Sequence, residues 1–288
     1  MENAAAANPS RKVCLITGAT SGIGLEIARG MAREGFHVIL AGRDREKLAN
    51  ATAEIAAGAG AVTVEAHAFD LSKMAGVRGL ARAVLENHDR LDVLVNNVGA
   101  VFPARELTVD GFEKTWALNH FGPFLLTSLL MPLFVGAHSA RIINLASDAH
   151  LGAKIDFSNI DGQRGYRSFS TYQRTKLANV MFTISLAEWL NATRVTANAM
   201  HPGLVASNFQ LGLSPWIRPF AALIRPMMRS TAEGADTAIY LATSPEVASL
   251  SGKYFDRREI TRHNPVADDT QARDRLWRIS VERTGARY

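Results

Sequence analysis

Thr17-Gly18-Ala19-Thr20-Ser21-Gly22-Ile23-Gly24 follows the apolar run Val13–Ile16 and leads into a stretch of helical period, Gly24–Glu34. Gly18, Gly22 and Gly24 let the chain turn tightly there. Lacking side chains, they also let backbone N–H groups and a helix N-terminus approach an anion. Such a turn can equally be an ordinary strand-to-helix corner, so its placement carries the weight. It stands after the first strand of an alternating series, where a dinucleotide pyrophosphate rests in an α/β fold. On that reading the whole turn faces the phosphates, Thr20, Ser21 and Ile23 included.

Working outward, short β-rich apolar runs alternate with longer segments of helical period. The strands expected are Val13–Ile16, His37–Ala41, Val62–Ala68, Val93–Asn96, Arg141–Leu145, Val195–Met200 and Lys253–Phe255. The helices expected between them are Gly24–Glu34, Asp44–Ala57, Lys73–Asn87, Phe112–Phe134, Ser170–Asn191 and Thr231–Thr243. This pattern predicts an α/β fold: a single Rossmann-type doubly wound domain over residues 11–288, with a mostly parallel seven-stranded sheet and helices on both faces. Residues 1–10, MENAAAANPS, read as a loose tail. Asp148–Phe169 and Leu204–Met228 fit neither period, and long irregular connections at strand ends often carry a site.

Composition excludes several functions. Among 288 residues, 47% hydrophobic with 22 Gly and 10 Pro, the net charge of +5 is scattered rather than gathered into a basic run, so nucleic acid is not an expected partner. Cys14 is the one cysteine, which leaves no disulfide framework and no Cys-rich metal site. The N-terminus lacks a charged region followed by an apolar one, and the greasiest stretch, Phe121–Val135, is interrupted by Gly122, Thr127, Ser128 and Pro132. A soluble cytoplasmic protein without a transmembrane segment is expected.

The second strand ends in Ala41-Gly42-Arg43. An acidic residue at this point accepts the ribose 2′-OH of NAD, whereas Arg receives a 2′-phosphate. Arg43 therefore favours NADP(H) over NAD(H), the competing reading being a solvated residue ahead of an Asp44 N-cap. Asp70-Leu71, after the third strand, is placed to meet the adenine, although Asp70 could equally be a cap.

Tyr172 and Lys176 are four residues apart and share a helix face. A neighbouring ammonium, helped by an oxidised nicotinamide, favours the phenolate and brings a tyrosine toward a useful pKa for proton transfer. Ser147 follows the fifth strand, at the sheet's carboxyl edge where these folds bind ligands. Asn119 falls inside a helix, where Asn has poor propensity and needs a reason to be kept.

With these residues in view the chain resembles a short-chain dehydrogenase/reductase. It matches TGxxxGIG at Thr17–Gly24, NNxG at Asn96–Gly99, the helical Asn119, Ser147, YxxxK at Tyr172–Lys176 and HPG at His201–Gly203, in the family's order from residue 11 to roughly 255. Within the family it is most similar to retinol dehydrogenase-like and WW-domain oxidoreductase-like members, through Ala41–Asp44, Asn119–Gly122, Ser147–His150, Gly252–Phe255 and a final helix around Arg275-Leu276-Trp277. Val98, Thr175 and Ser207 replace the family's usual Ala, Ser and Thr at those points. The resemblance implies that Tyr172 is the acid/base, that Ser147 orients the reacting oxygen, and that Lys176 binds the nicotinamide ribose. It implies that Asn119 holds a relay water, that Asn97 and Gly99 flank the cofactor, and that Pro202, Gly203, Val205 and Ser207 approach the nicotinamide. It also implies a homodimer or homotetramer paired through the helices of Asn119 and Tyr172.

The segment 204–228 carries Phe209, Trp216, Phe220, Met227 and other apolar residues, with Arg218 and Arg225 its only charges. As a lid it suggests a hydrophobic alcohol, ketone or aldehyde as substrate; packing on the protein's own core or a partner subunit, and contact with a membrane surface, are the other readings. The function expected is NADP(H)-dependent hydride transfer at such a group. The alternative is a non-catalytic NADP(H)-binding sensor or scaffold, and a serine hydrolase is more distant because no GxSxG elbow is present.

Overall fold

A computed structural model of the chain describes residues 11–58, 60, 62–204 and 229–288. Eight strands form one sheet: β1 Val13–Thr17, β2 His37–Gly42, β3 Val64–Ala68, β4 Val93–Asn96, β5 Ala140–Leu145, β6 Val195–His201, β7 Tyr254–Asp256 and β8 Glu259–Ile260. Their order is β3-β2-β1-β4-β5-β6-β7-β8. All neighbours run parallel except the last pair, where β8 turns back on β7. The expectation of seven strands is thus short by one. A two-residue exposed strand made by reversal at Arg257 and Arg258, both at positive φ, leaves no apolar run to read.

The helices are α1 Gly22–Arg33, α2 Arg45–Gly58, α3 Met74–Asn87, α4 Lys114–Trp116, α5 Gly122–Leu129, α6 Met131–Val135, α7 Ser168–Trp189, α8 Thr231–Thr243 and α9 Thr270–Thr284. They cover two apolar faces. Leu15, Ile39, Leu94, Ile142 and Ala199 point to the layer holding α3, α5 and α7, while Ile16, Val38, Val95, Ile143 and Met200 point to that holding α1 and α8. That inside-both-ways burial is why the central strands read as continuous apolar runs.

The single helix expected over Phe112–Phe134 is instead broken. Glu113 caps α4, accepting from Thr115 N and Trp116 N; a π-helical turn, Ala117–Phe121, joins α4 to α5; and α5 ends at Leu130 before Pro132. Hydrophobic period survives such a turn, so the break has no local signal. One face of α5 and of α7 is packed by this chain's own C-terminus. Trp277 and Tyr288 meet Phe124 edge-on, with ring centres 5.1 and 4.9 Å away, and the Tyr288 hydroxyl donates to Phe124 O at 2.6 Å. Among the described residues, no helix is long and apolar enough to cross a membrane.

His120, in the π turn, has its ring wholly enclosed, 2.9 Å from Ser280 Oγ and 3.4 Å from Asn179 Oδ1. Burial pushes it down to about 4, against the lesser raising effect of Asn179. The unfolded chain therefore binds the proton more tightly, and stability present above the ordinary value of 6.5 is lost as pH falls toward 4. The shift is worth about 3 kcal/mol. Urea unfolding at pH 7.5 and 4.5 should show His120→Phe losing less stability across that interval than the wild type; equal slopes would contradict the assignment.

Candidate active site

The chain runs from β1 outward to β3, then returns to β4 on the other side of β1, so a crevice opens at the carboxyl ends of β1 and β4. Thr17 and Asn97 build its floor. Thr17 Oγ1 donates to Val95 O (3.3 Å) and accepts from Asn97 N (3.0 Å) and Val98 N (3.1 Å). Asn97 Nδ2 donates back to Thr17 O (2.7 Å) and Gly18 O (3.2 Å). Asn97, expected only to flank a cofactor, is thus also a strut between two strand ends.

The glycine turn has the form expected of an anion cradle. Gly18 and Gly22 hold φ of 67° and 59°, and a Cβ on Gly24 would stand 2.3 Å from Gly18 O. Gly18 N also bonds Ala41 O at 2.8 Å, which ties the turn to β2. The N-cap of α1, Ser21, makes no side-chain cap hydrogen bond, and the first turn holds no acidic residue. N–H groups of the first helical turn are therefore left to an external acceptor, and these residues fit a dinucleotide phosphate. Thr20 and Ile23 are half-buried beside Ser21, which is exposed.

Arg43 is exposed just past β2, and a Cβ on the preceding Gly42 would meet Thr20 Cγ2 at 2.9 Å. Asp44 does accept from Lys47 N at 3.1 Å, so the cap reading holds for Asp44 while leaving Arg43 outward. The Asp70 carboxylate accepts from Ser72 N and Oγ at 3.1 and 2.7 Å. Burial opposes ionisation there, but Ser72, Lys73 and Arg43 hold the carboxyl below its usual range. Leu71 is buried in the core on the α3 and α5 side of the sheet.

At the other end of the crevice α7 brings Tyr172 and Lys176 together with Ser147 from the end of β5. The Tyr172 phenol is buried on the side of Ser147, which acts to lower its pKa, and its ring stacks on Phe169 at 6.3 Å. Lys176 Nζ donates to Leu145 O at 2.8 Å and stands 5.6 Å from the Tyr172 ring centre. Asn119 in the π turn donates to Ala100 O (3.0 Å) and Thr175 Oγ1 (3.1 Å) and accepts from Ala100 N (2.9 Å), so its side chain bolts the loop after β4 to α7. Gly99 approaches the same lysine: a Cβ there would stand 3.3 Å from Lys176 Nζ.

Burial pushes the Tyr172 phenol up to about 12, with Ser147 working against it, and pushes the Lys176 ammonium down to about 8. In the chain alone, desolvation outweighs the expected help from the ammonium. A tyrosine so placed is a protonated acid at neutral pH.

Sequence reasoning missed the support behind Ser147. His150 Nδ1 lies 2.6 Å from Ser147 O, and Asn264 N donates to His150 Nε2 at 3.2 Å. The Tyr254 hydroxyl donates to Asp148 Oδ1 at 2.8 Å, across 106 residues of sequence, while Asp148 N reaches His201 Nδ1 at 3.4 Å. His150 is local to Ser147, whereas no local spacing announces His201, Tyr254 and Asn264, which come from β6, β7 and the loop beyond β8.

Pro202 and Gly203 follow β6, with Gly203 at φ 89° beneath the Arg229 side chain. Val205, Ser207 and the expected lid, apart from Leu204, lie outside the described residues. The two edges of that gap are joined by Arg229 N donating to Leu204 O at 2.8 Å, and Arg229 pairs with Asp256 at 3.0 Å.

Comparison with known proteins agrees with this geometry. The family model for short chain dehydrogenases matches residues 12–217. Retinol dehydrogenase 12 of Mus musculus is 39% identical over 281 residues, which is 96% of this chain and 87% of that protein. Retinol dehydrogenase 13 of Homo sapiens is 36% identical over 95% and 85% respectively. Among solved structures, an uncharacterized protein from Mycobacterium paratuberculosis superposes with a TM-score of 0.78 at 28% identity, covering 98% of this chain and 96% of that one. The NADP complex of RhlG from Pseudomonas aeruginosa superposes with a TM-score of 0.69 at 31% identity, covering 85% and 93%.

Proposed function

Because the chain belongs to the short chain dehydrogenase family, we propose that it is an NADP(H)-dependent oxidoreductase acting on the alcohol or carbonyl of a hydrophobic small molecule. The observation that carries the reading is the buried Tyr172 phenol beside Ser147, one helical turn from a buried Lys176 whose Nζ lies 5.6 Å from its ring centre, at the same sheet edge as the glycine cradle.

The nicotinamide supplies the hydride acceptor or donor; the chain's own residues manage the substrate oxygen and its proton. Tyr172 donates its phenolic proton to a carbonyl oxygen in reduction and takes the hydroxyl proton in oxidation. Ser147 hydrogen-bonds that oxygen and fixes it against Tyr172. Lys176, held by Leu145 O, binds the ribose and stabilises the phenolate left after donation. Asn119 keeps α7 in register with the loop after β4, and a relay water from Lys176 would rest on the main chain of its π turn, since its side-chain amide is already engaged.

Arg43 supports NADP(H). It is exposed just past the end of β2, where this fold meets the adenosine ribose, a placement suited to a ribose 2′-phosphate. Losing one charge-assisted contact is worth about 1.5–3 kcal/mol. Arg43→Glu should accordingly weaken NADPH binding roughly 10- to 100-fold while leaving NADH unchanged or improved, read by fluorescence titration of each nucleotide. An unchanged NADPH/NADH ratio would remove Arg43 from the site.

The relatives named as retinol dehydrogenases support an apolar alcohol or aldehyde of the retinol kind, and the apolar composition of 204–228 agrees. The direct test mixes the protein with NADPH and a carbonyl panel graded in chain length and follows loss of reduced nicotinamide. Turnover rising with apolar length supports the reading, and a panel in which small polar carbonyls react best overturns it.

A further inference from the structure

A second cluster of ionisable groups lies far from the carboxyl edge, at the beginning of β2. His37 opens β2, Glu65 and His67 lie on the edge strand β3, and His88 ends α3 as its C-cap. The register pairs Ile39 with Glu65, so Glu65 shares a face with Ile39 and with His37 two residues before it, the face on which α3 packs. Three imidazoles thereby surround one carboxylate. His88 Nε2 is 2.7 Å from Glu65 Oε1, His67 Nε2 is 3.4 Å from the same oxygen, and His37 Nε2 is 3.6 Å from Oε2.

His37 is only 5% exposed, yet its Nε2 has no hydrogen-bond partner among the described residues and points at this carboxylate. A buried ring nitrogen left unbonded is costly unless something external meets it. The donor atoms of His37, Glu65 and His88 all lie within 4.8 Å of one another. Two imidazole nitrogens and a carboxylate oxygen form a donor set suited to zinc. Tetrahedral bonds of about 2.0–2.1 Å place ligand atoms roughly 3.3 Å apart. The His37 distance is already near that value, and the short His88 contact opens when a metal replaces the proton it shares. Glu65 is partly open to solvent, with its side chain 28% exposed, which gives a cation a way in.

We infer that His37, Glu65 and His88 form a binding site for one zinc-class divalent cation, with water or His67 as the fourth ligand. The site clamps the edge strand β3 and the end of α3 to β2. It takes no part in hydride transfer, since it sits at the opposite end of the strands from Tyr172. Its role is to brace the sheet half that carries Arg43 and Asp70.

The test uses the full, tag-free chain treated with chelator and then titrated with zinc chloride, with magnesium chloride as a parallel arm. The expected result is one zinc per chain at micromolar affinity or tighter, no magnesium binding in that range, and a rise in melting temperature with zinc. His88→Gln and Glu65→Gln should each weaken zinc at least tenfold, while His138→Gln, an exposed histidine elsewhere, should not. Zinc X-ray absorption of the wild type checks the same claim without any variant: two imidazoles, or three where His67 joins, plus oxygen are expected. Absent zinc binding, a shell of oxygens alone, a sulfur ligand, or binding indifferent to His88 and Glu65 would each overturn the assignment.

Discussion

Replacing Tyr172 by Phe should reduce kcat/KM for NADPH-dependent carbonyl reduction by about 10³- to 10⁴-fold while leaving the fold and the NADPH dissociation constant nearly unchanged. The substitution removes one oxygen and keeps the ring that stacks on Phe169, so packing is preserved. What disappears is the phenol placed on the proposed reaction path beside Ser147. The wild type adds a pH signature. With the phenol pushed up to about 12, Tyr172 is protonated across the neutral range, so reduction finds its acid ready. Oxidation needs the phenolate, and its rate should rise from pH 7 to 10 as deprotonation becomes easier. The measurement is initial-rate loss or gain of reduced nicotinamide in both directions for wild type and variant, with nucleotide binding by fluorescence alongside. Equal rates in the two proteins would remove Tyr172 from the chemistry, whereas loss of NADPH binding in parallel would show a structural role.

Much of this architecture could be read in the sequence because the informative features are local. Strands β1, β2, β4 and β6 are apolar runs buried on both faces, and the helices between them keep a 3.6-residue period, so the alternation fixes a mostly parallel sheet. The glycine turn and the Tyr172–Lys176 spacing are equally local. What escaped was decided by contacts between distant segments. The π turn at Ala117–Phe121 preserves the apolar pattern while shifting the helix register around Asn119. Tyr254 reaches Asp148, and Asn264 reaches His150, only because the chain's later segments are laid beside the end of β5. The aromatic pair Trp277 and Tyr288 covers Phe124 and Phe182 from residues more than 90 positions away, a contact that no local pattern announces. The histidines around Glu65 are spread from residue 37 to 88 and form no motif until β2 and β3 are set side by side.

Gly24→Val should lower NADPH affinity by about three orders of magnitude, and the reason is steric before it is electrostatic. A Cβ at this position would stand 2.3 Å from Gly18 O and 2.5 Å from Asn97 Nδ2, both inside the closest approach real side chains make. Neither neighbour can yield cheaply. Gly18 is pinned at φ 67° with its N–H on Ala41 O, and Asn97 Nδ2 is bonded to Thr17 O at 2.7 Å. The turn must open, which separates the first turn of α1 from the end of β4 and scatters the N–H groups that would meet the pyrophosphate. Overpacking of this kind also costs about 1–3 kcal/mol in stability, so urea unfolding should shift as well. Gly58→Ala supplies the contrast: a Cβ there meets nothing within 4 Å, and Ala suits the end of α2 better than Gly. That variant should bind NADPH as the wild type does and be slightly more stable. Wild-type NADPH affinity in Gly24→Val would show that the cofactor's phosphates rest elsewhere.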